Sequence, residues 1–259
     1  MSIYDSNAIL IYCCIVALIL GACMGSFLNC TAIRIGRSET FVRGRSHCMH
    51  CGHELSVKDL IPVISWVWLK GRCRYCREKI SARYPLVEII FALVTLACLL
   101  KFDLTVLCLR NYILLSVLFL LTLTDLDTMT IPDSCHIIAV VAWVLSAPLL
   151  MSWPEIGLHV LAAVLFGGGV LVLSLVMDRV MGRDTLGGGD IKLLAVAGLY
   201  FGLIGTMLVL ILSGIIGLLM NGFKRKKEFP FGPWIAVASA AVLFAGEPLI
   251  NWYMGLLGL

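Results

Sequence analysis

The chain has 259 residues, 60% of them apolar and 14% charged, with a mean hydropathy of +0.99 and a formal net charge of +4. So much apolar surface cannot be hidden in one globular core, which excludes a soluble domain and predicts an all-α polytopic membrane protein. The basic residues come without an aromatic stacking motif, so they point to membrane topology and anionic lipid rather than to nucleic acid.

Apolar stretches of roughly 20 residues, the length a helix needs to cross the hydrocarbon, occur at 8–30, 86–101, 108–124, 135–152, 157–178, 190–204, 205–221 and 233–255, giving about eight transmembrane helices. Only Met1 to Asn7 precede the first, with Asp5 but no Lys or Arg, so it reads as a true helix rather than a cleaved signal peptide. The expected domains are a first transmembrane helix (1–33), a small cytoplasmic insertion between helices 1 and 2 (34–84) and a membrane-embedded remainder (85–259).

The insertion carries Cys48-x-x-Cys51 and, further on, Cys73-x-x-Cys76. Paired Cys-x-x-Cys knuckles in a reducing compartment point to four thiolates around one tetrahedral zinc ion rather than to disulfides. His47, His50 and His53 crowd the first knuckle, so a mixed Cys/His site is the alternative. About 50 residues bury too little apolar surface to fold securely alone, and a closed four-cysteine site leaves no open position for water, so the zinc is read as structural. The apolar run Asp59 to Trp66, followed by Trp68, suggests a re-entrant or surface-lying segment, since Trp favours the membrane interface. The other seven cysteines lie in or beside spans and read as small core residues.

After the third span, Asp125, Asp127 and Asp133 crowd one membrane boundary. On helical geometry Asp125 and Asp127 point about 200° apart, so only one can face a given partner helix. Pro132 stops one helix or begins the next, with Asp133 placed to favour a positive helix N-terminus. Further on, Gly187-Gly188-Gly189-Asp190 lets the backbone approach a neighbour closely and sets a carboxylate at the start of a span. The P-loop spacing of Lys and Ser/Thr is absent, which argues against a nucleotide site. Gly198, Gly202 and Gly205 favour a tight turn near Tyr200 to Gly205; without it, 190–221 would be one long helix and the C-terminus would change sides.

Charge fixes the orientation. Segment 34–84 holds 11 of the 20 Lys and Arg residues and is therefore cytoplasmic. Alternating sides brings Arg179, Arg183, Lys192 and Lys224-Arg225-Lys226-Lys227 to the same face, leaving Lys101 and Arg110 outside. The aspartate stretches fall on the cytoplasmic face too. Three of the five histidines belong to the insertion, and His136 and His159 lie near or within spans, so no nucleophile–base triad is visible and carboxylate chemistry remains.

In order and spacing, Gly25-Ser26-Phe27-Leu28-Asn29-Cys30, the two Cys-x-x-Cys pairs, Ile80-Ser81-Ala82-Arg83-Tyr84-Pro85-Leu86-Val87-Glu88, Asp125-Leu126-Asp127 to Ile131-Pro132-Asp133, Gly187-Gly188-Gly189-Asp190 and Pro230-Phe231-Gly232-Pro233 resemble the bacterial type IV prepilin peptidases nearly end to end. The resemblance implies a multi-pass inner-membrane aspartyl endopeptidase whose catalytic pair is Asp125 and Asp190. It also implies prepilin or pseudopilin substrates, whose short basic leader is cleaved after a glycine on the cytoplasmic side. S-adenosylmethionine-dependent N-methylation of the new N-terminus is implied by analogy, with no contact residues identified. Relatives often have a proline after the first knuckle cysteine where this chain has Met49. Two rivals are a Gly-x-Gly-Asp intramembrane protease of broader specificity and a proton or cation transporter using intramembrane carboxylates. The cysteine insertion and Ile131-Pro132-Asp133 argue against the first, and carboxylates at the membrane edge argue against the second.

Overall fold

The computed structural model describes residues 3–39, 44–182, 186–224 and 230–256; Arg43, Arg183 and the basic residues at 225–227 lie outside them. The regular elements described are helical: α1 (Asn7–Gly36), a short α2 (Ile64–Trp68), α3 (Arg83–Phe102), α4 (Val106–Thr128), α5 (Asp133–Leu150), α6 (Trp153–Met181), α7 (Gly188–Lys224) and α8 (Gly232–Leu256). All but α2 are long and apolar enough to cross a membrane, which makes the chain a multi-pass membrane protein. The chain divides into two compact units, residues 1–112 and 113–259, with the boundary inside α4.

In the first unit α1 packs against α3 along a small-residue stripe. A Cβ on Gly21 would stand 2.6 Å from Thr95 Oγ1, and one on Gly25 would stand 3.0 Å from Phe91 Cβ. Glycines four residues apart therefore let the two backbones approach, as membrane helix pairs commonly require.

In the second unit, Leu118, Leu121, Trp143, Leu193, Val209 and Ile235 form a continuous apolar core. Helix α6 begins with a Ser152–Glu155 capping box and ends at Gly182 in the left-handed conformation. It runs antiparallel to the first part of α7: a Cβ on Gly198 would lie 2.5 Å from Ala163 Cα, and one on Gly167 would lie 2.7 Å from Ala195 Cβ.

Helix α7 is not straight. Gly202 has φ 63° and ψ −165°, a region open almost only to glycine. A straight α7 would put Lys224 about 50 Å from Asp190, and even a right-angle bend at Gly202 would leave them about 38 Å apart. The eight residues from Lys224 to Gly232 reach about 29 Å at most, yet Gly232 lies against Asp190. The helix therefore folds back at Gly202, within the turn expected at Tyr200 to Gly205, and the seven long helices make eight passes.

Candidate active site and metal centre

Three helix ends build the aspartate site. Asp125 lies in the last turn of α4, Asp190 in the first turn of α7 and Gly232 at the start of α8. Asp125 and Asp190 are buried, 5% and 9% exposed, whereas Asp127 and Asp133 are exposed. The 200° separation along α4 thus resolves in favour of Asp125.

Gly232 sits between the two carboxylates. A Cβ there would stand 2.7 Å from Asp125 Oδ2 and 3.3 Å from Asp190 Oδ1, so those oxygens lie within about 6 Å of each other. The Gly232 backbone N–H donates to the Asp125 carboxylate, while Asp190 Oδ1 is buried and has no hydrogen-bond partner among the described residues. This donor is one of the free N–H groups that every helix start presents. Two buried carboxylates on either side of a glycine, one of them with an oxygen that lacks a donor among the described residues, make a place where a water and a peptide carbonyl can meet acid–base groups.

The segment before α5 holds Asp190 in place. Ile131 wedges against both glycines, with side-chain atoms 2.9 Å from a Cβ placed on Gly189 and 2.9 Å from one placed on Gly232. His136 donates through Nε2 to the Gly189 carbonyl at 3.1 Å, and Asp133 pairs with Lys192, one turn into α7, at 2.6 Å. Pro132 is the N-cap of α5, with Asp133 its first residue. Gly232, Ile131 and His136 were not expected as site residues. Ile131 and Gly232 do stand in two of the motifs that carry the family resemblance, Ile131-Pro132-Asp133 and Pro230-Phe231-Gly232-Pro233. His159 is likewise a structural histidine, bonded through Nδ1 to the Leu199 carbonyl at 2.7 Å.

The cysteine site is built locally. Each knuckle is a tight turn closed by one antiparallel bridge, His47 with Glu54 and Arg72 with Lys79. The Cys48 N–H donates to the His53 carbonyl at 2.9 Å and the Cys73 N–H to the Glu78 carbonyl at 2.8 Å. The residue after the second cysteine has positive φ in both, 69° at Gly52 and 62° at Arg77. His53 stacks on Tyr75, tying knuckle to knuckle at 3.6 Å between ring centroids.

The sulfurs of Cys48, Cys51, Cys73 and Cys76 all lie within 4.8 Å of one another, and Cys48 and Cys76 are 3.8 Å apart. Tetrahedral zinc with Zn–S bonds of about 2.3 Å requires sulfurs about 3.8 Å apart. The four ligands therefore fit a zinc ion, and no histidine joins them among the described residues. Backbone N–H groups of Cys51 and His50 draw the Cys48 thiol down to about 6. At Cys76 the Glu78 N–H lowers the thiol, but burial and the three neighbouring sulfurs outweigh it and push it up to about 12. Thiolates crowded so closely repel one another, and a bound cation would relieve that repulsion.

The N-terminal part of the chain, residues 19–102, matches the family described as the bacterial peptidase A24 N-terminal domain, and residues 112–221 match the type IV leader peptidase family. The chain is 36% identical over 220 residues to a protein of Aeromonas hydrophila named prepilin leader peptidase/N-methyltransferase, covering 81% of this chain and 74% of the relative. Proteins of the same name from Pectobacterium carotovorum subsp. carotovorum and Bacillus subtilis (strain 168) are 32% and 28% identical, over 85% and 91% of this chain and 88% and 96% of theirs. The chain belongs to the type IV leader peptidase family. It is an enzyme of that family, and Asp125, Asp190 and the cysteine cluster lie within its matched regions, with Gly232 just beyond them. No solved structure matches it.

Proposed function

We propose that this leader peptidase cleaves the basic leader of a type IV prepilin or pseudopilin at the cytoplasmic face of the inner membrane, with Asp125 and Asp190 as the catalytic pair. The observation that carries the reading is the bracketing of Gly232 by the two buried carboxylates, one of them with an oxygen that no donor among the described residues reaches. Carboxylates so placed share a proton. The ionised partner takes a proton from water as the water oxygen attacks the scissile carbonyl carbon, and the protonated partner donates to the carbonyl oxygen. Proton return to the amide nitrogen then lets the C–N bond break. The pair, rather than either residue, owns the two titrations that would bound activity.

Placement on the cytoplasmic side rests on the positive-inside distribution, with 18 of 20 Lys and Arg on one face. The cysteine cluster, Cys48, Cys51, Cys73 and Cys76, would hold a structural zinc that stabilises the 34–84 insertion, while 85–259 supplies the membrane-embedded protease. Methylation of the freed N-terminus, with S-adenosylmethionine as donor, is proposed from the relatives' name. Mass spectrometry of a prepilin co-expressed with the chain tests both activities at once. The expected product has lost its leader and carries one methyl group on the new N-terminus, and an intact leader would refute the reading.

A further inference from the structure

The first unit contains a cavity of about 300 Å³ that the aspartate chemistry does not use. It lies between the cytoplasmic end of α1, the start of α3 and the zinc knuckles, and its volume is at the lower end of the range typical of small-molecule sites. Motif residues that play no part in peptide cleavage line it: Ser26 and Cys30 lie one turn apart on α1, and Tyr84 and Glu88 one turn apart on α3. Trp66 of α2 adds an aromatic wall, held by its indole N–H to the Ile80 carbonyl at 3.2 Å.

Glu88 is 6% exposed, a location where a carboxylate is costly unless it has partners. One of its oxygens, Oε2, accepts from the Val63 N–H at 2.7 Å. Val63 has φ 61°, so this bond holds a strained turn just before α2. Glu88 is among the residues that line the cavity, and its other oxygen has no hydrogen bond from the described residues. Asp59, the second buried carboxylate of the lining, has both oxygens committed to Ser56, Arg74 and Tyr75. Glu39 and Glu78 of the lining are solvent-exposed, so Glu88 is the shielded acidic group left for an occupant, beside an aromatic face that favours a flat base or a soft cation.

We propose that this cavity is the S-adenosylmethionine site, with Glu88 as the carboxylate that holds the donor's α-ammonium group and Trp66 as the wall against its base. The inference rests on the methyltransferase half of the proposed function, and its residues are separate from the aspartate pair. Bound there, the donor supplies an activated methyl group. The lone pair of the freed pilin amine forms the new N–C bond as the S–C bond breaks, the electrons of that bond return to sulfur, and the amine's proton passes to solvent.

Binding of S-adenosylhomocysteine to the purified, zinc-replete full chain, measured by calorimetry, tests the assignment without requiring turnover. Wild type should bind one equivalent. Glu88→Gln, which keeps an acceptor for the Val63 N–H but removes the charge, should weaken binding at least tenfold with zinc content and melting temperature unchanged. Ser26→Trp, which fills the cavity from the α1 side, should abolish it. Asp125→Asn should bind as wild type does. No binding by wild type, or wild-type affinity in both Glu88→Gln and Ser26→Trp, would overturn the assignment and leave the protease reading standing. Displacement of bound S-adenosylhomocysteine by a synthetic basic leader peptide would also overturn it, because the cavity would then be a peptide site. Persistent leader cleavage by Asp125→Asn would sink the protease assignment alone.

Discussion

The cysteine cluster and the aspartate pair are assembled in opposite ways. Each half of the cysteine cluster is a turn of a few residues whose own backbone hydrogen bonds aim two sulfurs, and a metal ion held by all four would join the two halves. The aspartate site has no local half. Asp125 and Asp190 come from different helix ends 65 positions apart, and they meet across a glycine 42 positions further on. A site of the first kind should fail by losing its ion, and one of the second kind by misplacement while the fold survives.

Among variants that keep both carboxylates, the largest effect should come from the point where the three helix ends meet. Gly232→Ala puts a methyl 2.7 Å from Asp125 Oδ2 and 2.9 Å from Ile131 Cδ1. Displacement of a reacting group by about 1 Å can cost about 100-fold in rate. Leader cleavage in a purified assay should fall by that order while bound zinc stays at about one per chain. Cys73→Ser should do the reverse at the metal centre. Zinc measured by elemental analysis should drop from about one equivalent to none, and limited proteolysis should open the insertion.

Gly202→Ala probes the fold that brings Asp190 back to Gly232. An alanine forced into φ 63°, ψ −165° should cost about 1–3 kcal/mol, read as a lowered melting temperature with zinc retained. The smallest effect should come from Asp59. Burial raises this carboxyl, and hydrogen bonds from Arg74, Ser56 and Tyr75 overcome that and leave it at about 2. Its unfolded value is about 3.9, so its contribution is complete above that pH and is lost only as pH falls through about 2. Acid release of zinc should therefore follow protonation of the thiolates, and Asp59→Asn should leave the pH midpoint of release nearly unchanged.

The same contrast decides what could be read from the sequence. Cys-x-x-Cys spacing is a statement about backbone turns, so the clustering of the four cysteines was legible without a fold. The turn at Gly202 was legible for a similar reason: three glycines interrupted a run too long for one span. Helical geometry showed that only one of Asp125 and Asp127 could face inward, but not which, because the face that α4 buries is set by partners distant in sequence. Gly232 and Ile131 were illegible as site residues, since their role is to let backbones approach and then to wedge them. His136 looked like a stray histidine because its partner is a backbone carbonyl 53 positions away.

Single-turnover cleavage of one prepilin by wild type, Asp125→Asn, Asp190→Asn and the double variant tests the shared-proton pair most directly. Each single variant should lose about 10²–10⁴-fold, and the double variant should be no worse than either, because the two residues act as a unit. Near wild-type cleavage by either single variant, or losses that simply multiply in the double, would contradict it.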